Sequence, residues 1–169
     1  ESRNFIYRIL YMGGDNLFDK LKGLFKKGER NEGDEKYVFV PDNEINEGLK
    51  TKIVELERLG EECSKVLQRK YANKLESKGK QNLRIWICRD IDGDEITDIT
   101  SEKCLELEYR SQIVIDYDGP KYDEDFYADT IELWHFSDVI KGKAYGTIYN
   151  LTKCNLETEI EDTLIKLLK

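Results

Sequence analysis

The fold is organised around one stretch, LRIWICRDIDGDEITDIT (Leu83–Thr100), which joins a strongly apolar pattern to a dense group of carboxylates. Its first residues alternate in character and are rich in β-branched and aromatic side chains, which is typical of a buried or half-buried strand. Asp92 and Gly93 then favour a tight turn, because both residue types tolerate a positive φ. We therefore predict a hairpin whose returning strand runs through Ile96 and Ile99.

Four carboxylates crowd the tip of this hairpin: Asp90, Asp92, Asp94 and Glu95. They repel one another unless they are solvated, paired with a cationic side chain or bound to a metal ion. The plainer interpretation is a solvated turn; the alternative is a site in which Asp90, Asp92 and Asp94 hold Mg²⁺ or Ca²⁺. The EF-hand pattern is not matched, since Glu95 and Ser101 stand where that loop has Gly and Glu.

Composition indicates one ordinary domain over residues 1–169, because 39% of the residues are hydrophobic and the length suffices for a proper core. No apolar run approaches the roughly 18 residues of a membrane span, so we expect no membrane segment. The four cysteines are scattered without a C-x-x-C pair, which favours reduced thiols and a cytoplasmic location over a zinc site or a disulfide scaffold.

The net charge of −8 disfavours nucleic-acid binding, since phosphates require a basic surface. The charge is also uneven along the chain. Residues 65–84 carry 7 basic and 1 acidic side chains, whereas residues 90–138 carry 16 acidic and 3 basic ones. The sequence therefore predicts a basic end and a long acidic face.

Two helices stand out by their periodicity. The longer is predicted over about 44–77, capped by Asp42 or Asn43 and locally weakened by Gly48 and Gly60. Its apolar residues recur at steps of three or four along one stripe: Ile45, Leu49, Ile53, Leu56, Cys63, Leu67, Tyr71 and Leu75. A closing helix is predicted over about 156–168 with Asn155 as its cap.

The strands are expected mainly in the C-terminal half, over about 83–150. One runs from Leu105 through Tyr117, the next over Phe126–Phe136, and a last short one lies between 142 and 151; residues 130–140 also fit the start of a helix. Near the N-terminus a short strand is stopped by Pro41, and residues 5–12 fit either strand or helix. The sequence thus predicts an α+β domain with helices mainly in its N-terminal half, an antiparallel-rich sheet and a closing helix.

A hydrolase with a covalent intermediate is not indicated. His135 is the sole histidine, and its aromatic neighbours Trp134 and Phe136 favour a packed or capping role over general-base catalysis. No serine lies in an elbow motif, and no cysteine carries a protease signature. These residues therefore favour a chain that is not an enzyme, and they leave metal-dependent catalysis open as the alternative.

Tyrosines and acids are concentrated between residues 109 and 138, and we expect these rings to be exposed and to recognise a small polar ligand, such as a nucleotide, or a basic protein. The predicted ligand contacts are Tyr109, Arg110, Tyr117, Lys121, Tyr122, Tyr127 and Asp129. This makes a non-catalytic regulatory or sensor domain the first hypothesis, and the sequence also allows a homodimer. The rival is a metal-dependent phosphoryl or nucleotidyl transferase using Asp90, Asp92 and Asp94.

Two fragments resemble known families. ILYMGGD (Ile9–Asp15) and RDIDGDEI (Arg89–Ile96) resemble parts of the palm domain of GGDEF and CRISPR polymerases, although their order and spacing differ. The stretch Tyr109–Leu133 resembles the lid hairpin and following helix of STING-type cyclic-dinucleotide receptors, with Asp129-Thr130 at the ligand-contact motif but without its Pro. The second resemblance implies a third hypothesis, a cyclic-dinucleotide receptor whose hairpin is followed by a helix.

Overall fold

The computed structural model describes residues 35–96, 98–121, 127–140 and 143–169. Within these residues one antiparallel sheet is accompanied by two α-helices, which confirms the predicted α+β fold. The helices are α1 (Glu47–Glu76) and α2 (Leu156–Leu167). The strands are β1 (Tyr37–Pro41), β2 (Gln81–Ile91), β3 (Asp94–Glu95), β4 (Tyr109–Asp118), β5 (Asp129–Ile140) and β6 (Lys143–Tyr149).

The strand order is β1-β6-β5-β4-β2-β3, and every neighbouring pair is antiparallel. Strands β4, β5 and β6 follow one another in sequence and in space, as in a simple meander. Strand β1 instead pairs with β6, so Tyr37 lies opposite Tyr149. The described residues belong to one compact unit, and the prediction of a single domain over the whole chain stays a prediction.

Helix α1 begins later than predicted. Its cap is Asn46, whose side chain accepts hydrogen bonds from the backbone N–H groups of Gly48 (2.9 Å) and Leu49 (3.2 Å). The predicted caps Asp42 and Asn43 lie instead in a short 3₁₀ turn that precedes the helix. An Asn cap satisfies backbone donors that a helix start leaves unpaired, so the position of Asn46 fixes the first turn.

Gly60 lets α1 approach the sheet closely. A Cβ atom at this position would lie 3.0 Å from Ile87 Cδ1 and 3.3 Å from Leu133 Cδ1, which is tighter than ordinary side-chain contact. We predicted that Gly60 weakens the helix; its packing supplies the physical reason for a glycine there. Leu56 and Tyr71 are 2% and 4% exposed, which confirms that the predicted stripe faces the core from Leu49 onward. Its first predicted member, Ile45, lies before α1 and is half-buried.

Helix α2 starts as predicted, with Asn155 accepting a hydrogen bond from the N–H of Thr158 at 2.9 Å. It packs against α1, where the Tyr71 hydroxyl donates to Glu161 Oε1 at 2.7 Å and Lys70 Nζ lies 2.6 Å from the same oxygen. Burial and the Glu161 carboxylate raise the pKa of Tyr71 to about 12.

The segment between β3 and β4 departs from expectation. Strand β3 has only two residues, so the predicted returning strand through Ile96 and Ile99 is wrong. Strand β4 starts at Tyr109, so the predicted strand from Leu105 begins four residues too early, while its part from Tyr109 to Tyr117 is confirmed. Glu108 adopts φ 62°, a left-handed conformation that breaks strand geometry, and Leu107 is 44% exposed. The alternation of leucines over so short a stretch was therefore not a strand signal.

Residues 129–140 form strand β5, so the alternative of a helix here is wrong. The register against β4 shifts between Ser111, which faces Trp134, and Gln112, which faces Glu132. Leu133 is the extra residue of this bulge, and both Leu133 and Trp134 are fully buried. A bulge interrupts the two-residue period, which explains the ambiguous sequence pattern.

Two further predictions concern the membrane and the N-terminus. Among the described helices, none is long and apolar enough to cross a membrane. The choice between strand and helix for residues 5–12 lies outside the described residues.

Candidate functional site

The predicted ligand contacts are divided between the two faces of the sheet. Successive side chains of a strand point to opposite faces, so Tyr109 and Tyr117 of β4 share one face and Arg110 the other. The first is covered by α1, since Tyr109 donates a hydrogen bond to Glu57 of that helix at 2.7 Å. The opposite one is called the far face below.

Tyr109 and Tyr117 are buried in the core. Their exposed fractions are 0% and 1%, so the expectation that their rings are exposed is wrong. Burial, and then the nearby Glu57 carboxylate, raise the pKa of Tyr109 well above its ordinary value. The Tyr117 hydroxyl donates to the carbonyl of Pro120 at 3.2 Å, and Lys80 Nζ lies 5.5 Å from its ring centre. Both tyrosines act in packing.

Strands β2, β4 and β5, with the loop that follows β4, bring a group of polar and aromatic side chains together on the far face. We call it the far-face cluster: Arg84, Trp86, Asp90, Arg110, Asp116, Asp118, Lys121, Tyr127, Glu132 and His135. Three of the predicted contacts, Arg110, Lys121 and Tyr127, belong to it. Asp129 does not, because it pairs with Ile115 and so shares the α1 side; it is exposed, and its Oδ1 accepts the Thr130 N–H at 2.8 Å.

Ion pairs hold one end of the far-face cluster together. Asp116 lies 2.7 Å from a terminal nitrogen of Arg84 and 2.6 Å from Lys121 Nζ. Burial opposes ionisation of Asp116, yet hydrogen bonds from Lys121 and Arg84 hold its pKa below the ordinary value. Asp118 accepts from Asn82 and Arg84, which lower its pKa as well.

The middle and the other end of the far-face cluster carry aromatic and acidic groups. The Trp86 and Tyr127 rings meet edge to face, with centres 5.6 Å apart. His135 lies between two carboxylates, 3.9 Å from Glu108 and 4.0 Å from Glu132. Arg110 Nε donates to Asp90 at 3.0 Å.

The acidic turn does not gather its carboxylates. Asp90 is 3% exposed and bound by Arg110, while Asp92 and Asp94 are exposed on the turn, where Asp92 and Gly93 adopt φ values of 55° and 82°. Over the described part of the chain, no three His, Cys, Asp or Glu side chains are placed to hold a metal ion. The proposed Mg²⁺ or Ca²⁺ site therefore gains no support from this geometry and stays a prediction.

Two predictions concern residues that the structure does not describe, and a third is wrong. Tyr122 lies outside the described residues, as does the GGD fragment Ile9–Asp15. The helix that the STING-type resemblance implies after the hairpin is wrong, because Asp129–Ile140 is a strand.

The sequence did not reveal the polar cluster beneath α1. Glu57 is 2% exposed, and its carboxylate receives the Tyr109 hydroxyl at 2.7 Å and the Arg89 Nε at 2.8 Å. A buried carboxylate is tolerated only when it is paired and hydrogen-bonded, and these two donors satisfy it. The available signal was that Glu57 follows Ile53 by four residues and Arg89 continues the inward row of Ile85 and Ile87.

Comparisons with known proteins give no relative. No family model, no curated protein and no solved structure matches the chain.

Proposed function

We propose that this chain is a non-catalytic regulatory domain that binds a basic segment of a protein partner through the far-face cluster. The proposal rests on one observation, which is that the Lys and Arg side chains of the cluster are already paired with carboxylates. Arg84, Arg110 and Lys121 each lie within 3.0 Å of a carboxylate. The cluster thus offers a phosphate group no uncommitted Lys or Arg among the described residues.

The charge that remains is negative. Four carboxylates of the cluster accompany three Lys or Arg side chains, and Glu132 has no Lys or Arg partner among the described residues. A basic partner therefore gains attraction without breaking an existing ion pair, whereas an anionic nucleotide would have to displace a carboxylate from Arg110 or Lys121. This favours a basic protein segment over the small anionic ligand.

The aromatic pair supplies the apolar contact. Trp86 and Tyr127 are half-buried, and rigid rings with polar tips provide contact area at low cost in conformational entropy. The ion pairs beside these two rings exclude water and orient a charged partner. Because the four cysteines are thiols, we place this activity in a reducing, cytoplasmic compartment.

A fluorescent Arg- and Lys-rich peptide, titrated into the full chain, tests the proposal. We expect binding that weakens steeply with salt, because rim charges are screened over about 10 Å at 0.1 M ionic strength. Glu132→Gln should weaken binding about threefold and Tyr127→Ala about tenfold, since the first removes a rim charge and the second an aromatic contact.

Lys121→Gln is the matched control, because Asp116 keeps Arg84 as its partner. It should leave peptide binding unchanged or slightly stronger. A parallel titration with ATP and a cyclic dinucleotide distinguishes the anionic ligand. Nucleotide binding that Lys121→Gln abolishes, with no peptide binding, would overturn the proposal.

A further inference from the structure

Within the described residues, strand β2 forms one edge of the sheet over most of its length. Its neighbour on the outer side, β3, pairs only with Asp90 and Ile91. Among the described residues no strand pairs with 82–89 on that side. An unpaired edge presents a row of backbone donors and acceptors to an incoming strand.

The direction of these backbone groups follows from one hydrogen bond. Ile85 N–H donates to Gln68 Oε1 of α1 at 2.8 Å, so the backbone of Ile85 points away from β4. In an antiparallel ladder, residues alternate between bonding one neighbour and the other. Ile87 and Arg89 therefore present their N–H and C=O groups at the same edge as Ile85.

The edge is accompanied by a groove of about 210 Å³ between β2 and α1. It is lined by Glu61, Lys65, Ile85, Trp86, Ile87 and Arg89. Backbone groups of β2 thus lie beside a groove with helix side chains on its other side, an arrangement that a peptide adding as a strand can use.

The segment that borders this groove is basic although the whole chain is acidic, since residues 65–84 carry 7 basic and 1 acidic side chains. Lys65 pairs with Glu61 at 2.8 Å, but both side chains are more than half exposed, so the pair is weak and Lys65 can take another carboxylate. Arg89 is committed to the buried Glu57. Arg69 follows Lys65 by one helical turn; it is exposed and has no carboxylate partner in the described part of the chain. The rim is therefore basic on a protein whose net charge is −8.

We propose that the edge of β2 binds an extended acidic segment of another protein, which adds to the sheet as a strand beside Ile87 and Arg89. Backbone hydrogen bonds supply the affinity, and carboxylates on alternate residues of the segment face Lys65 and Arg69. A second copy of this chain is disfavoured, because it would bring its own basic rim against this one. Apart from Trp86, which borders both sites, this site uses other residues than the proposed function, and the opposite charge.

A short, terminally blocked peptide of alternating Thr and Glu is the probe, titrated into the full chain and followed by amide hydrogen exchange. Binding should protect the Ile87 and Arg89 amides, which report on this edge alone. The same peptide with N-methyl groups on the residues that face β2 should not bind, since it lacks the donors a ladder needs.

Charge is tested by Lys65→Glu with Arg69→Glu, which should weaken binding about tenfold. The control, Lys143→Glu with Lys153→Glu, makes the same charge change at exposed positions on and after β6, and should leave binding within about twofold.

Three results would overturn the proposal. Equal binding of the N-methylated peptide would show that no strand is added. Protection of Ile87 and Arg89 without peptide, whether constant or rising with protein concentration, would mean that this chain or a second copy covers the edge. Absence of binding at millimolar peptide concentration would show that the edge of β2 does not bind an acidic segment. A failure of the far-face cluster would leave all these readouts unchanged.

Discussion

A buried ion pair on the α1 side of the sheet and an exposed one on the far face accommodate charge in different ways. On the α1 side, Glu57 is 2% exposed and receives hydrogen bonds from Tyr109 and Arg89 in the interior. On the far face, Arg84 is 46% exposed, and its partner Asp118 is 51% exposed. The first arrangement is desolvated and depends on every partner, whereas the second is screened by water. The second is accessible to solvent and to a partner, and this makes it suited to recognition.

Removing one partner on the α1 side should have the largest effect on stability. Arg89→Ala leaves the buried Glu57 carboxylate with only the Tyr109 hydroxyl, so we expect the free energy of unfolding to fall by about 3–5 kcal/mol. Chemical denaturation measures this change. Arg84→Ala removes the same side chain from the far face and should leave the midpoint nearly unchanged, because Asp116 keeps Lys121. Equal effects of the two variants would remove the contrast between the faces.

A deletion in the apolar part of the α1 side should cost slightly less. Leu56 is 2% exposed, and Leu56→Ala leaves a cavity that should lower the free energy of unfolding by about 2–4 kcal/mol. Ile165→Ala, at a position 44% exposed on α2, is the control and should cost well under half as much. An unchanged denaturation midpoint for Leu56→Ala would contradict the packing described above.

The smallest effect is expected on the far face in acid. Hydrogen bonds from Asn82 and Arg84 lower the pKa of Asp118, so its contribution to stability is complete above its ordinary pKa of about 4. That contribution is lost as the pH falls through the lowered pKa, because the unfolded chain then binds the proton more readily. The melting temperature of Asp118→Asn should therefore fall less than that of wild type between about pH 5 and pH 3. An equal decrease in melting temperature for the two proteins would contradict this.

Sequence periodicity predicted the elements whose pattern is long. Helix α1 repeats its stripe over many turns, and β2 and β4 alternate over several residues, so their types were correct. Short or interrupted patterns failed for identifiable reasons. Leu105 and Leu107 alternate over only three positions before Glu108 turns the backbone to positive φ. Leu133 adds a bulge to β5 that imitates a helical step.

The candidate site was harder to predict because it depends on which face of β4 meets α1. The alternation in β4 already placed Tyr109 and Tyr117 in one row with Ile113 and Ile115, and the expectation that these rings are exposed ignored that period. What a single strand pattern leaves open is which side chains of β2 lie opposite Arg110 on the other face. The register of β2 against β4 decides it, since Ile87 faces Ile113 and Asp90 faces Arg110. Pairings between distant residues are set by the whole sheet, and a single strand pattern cannot specify them.

The pairing of β1 with β6 has a consequence for synthesis. Tyr37 lies opposite Tyr149, so the first strand of the described sheet completes its ladder only after the last strand has been made. At roughly 5–20 residues per second, translation from one residue to the other takes on the order of ten seconds. During that time β1 has no partner strand, and its late arrival makes sheet closure a contact of long sequence separation, which is typically slow to form.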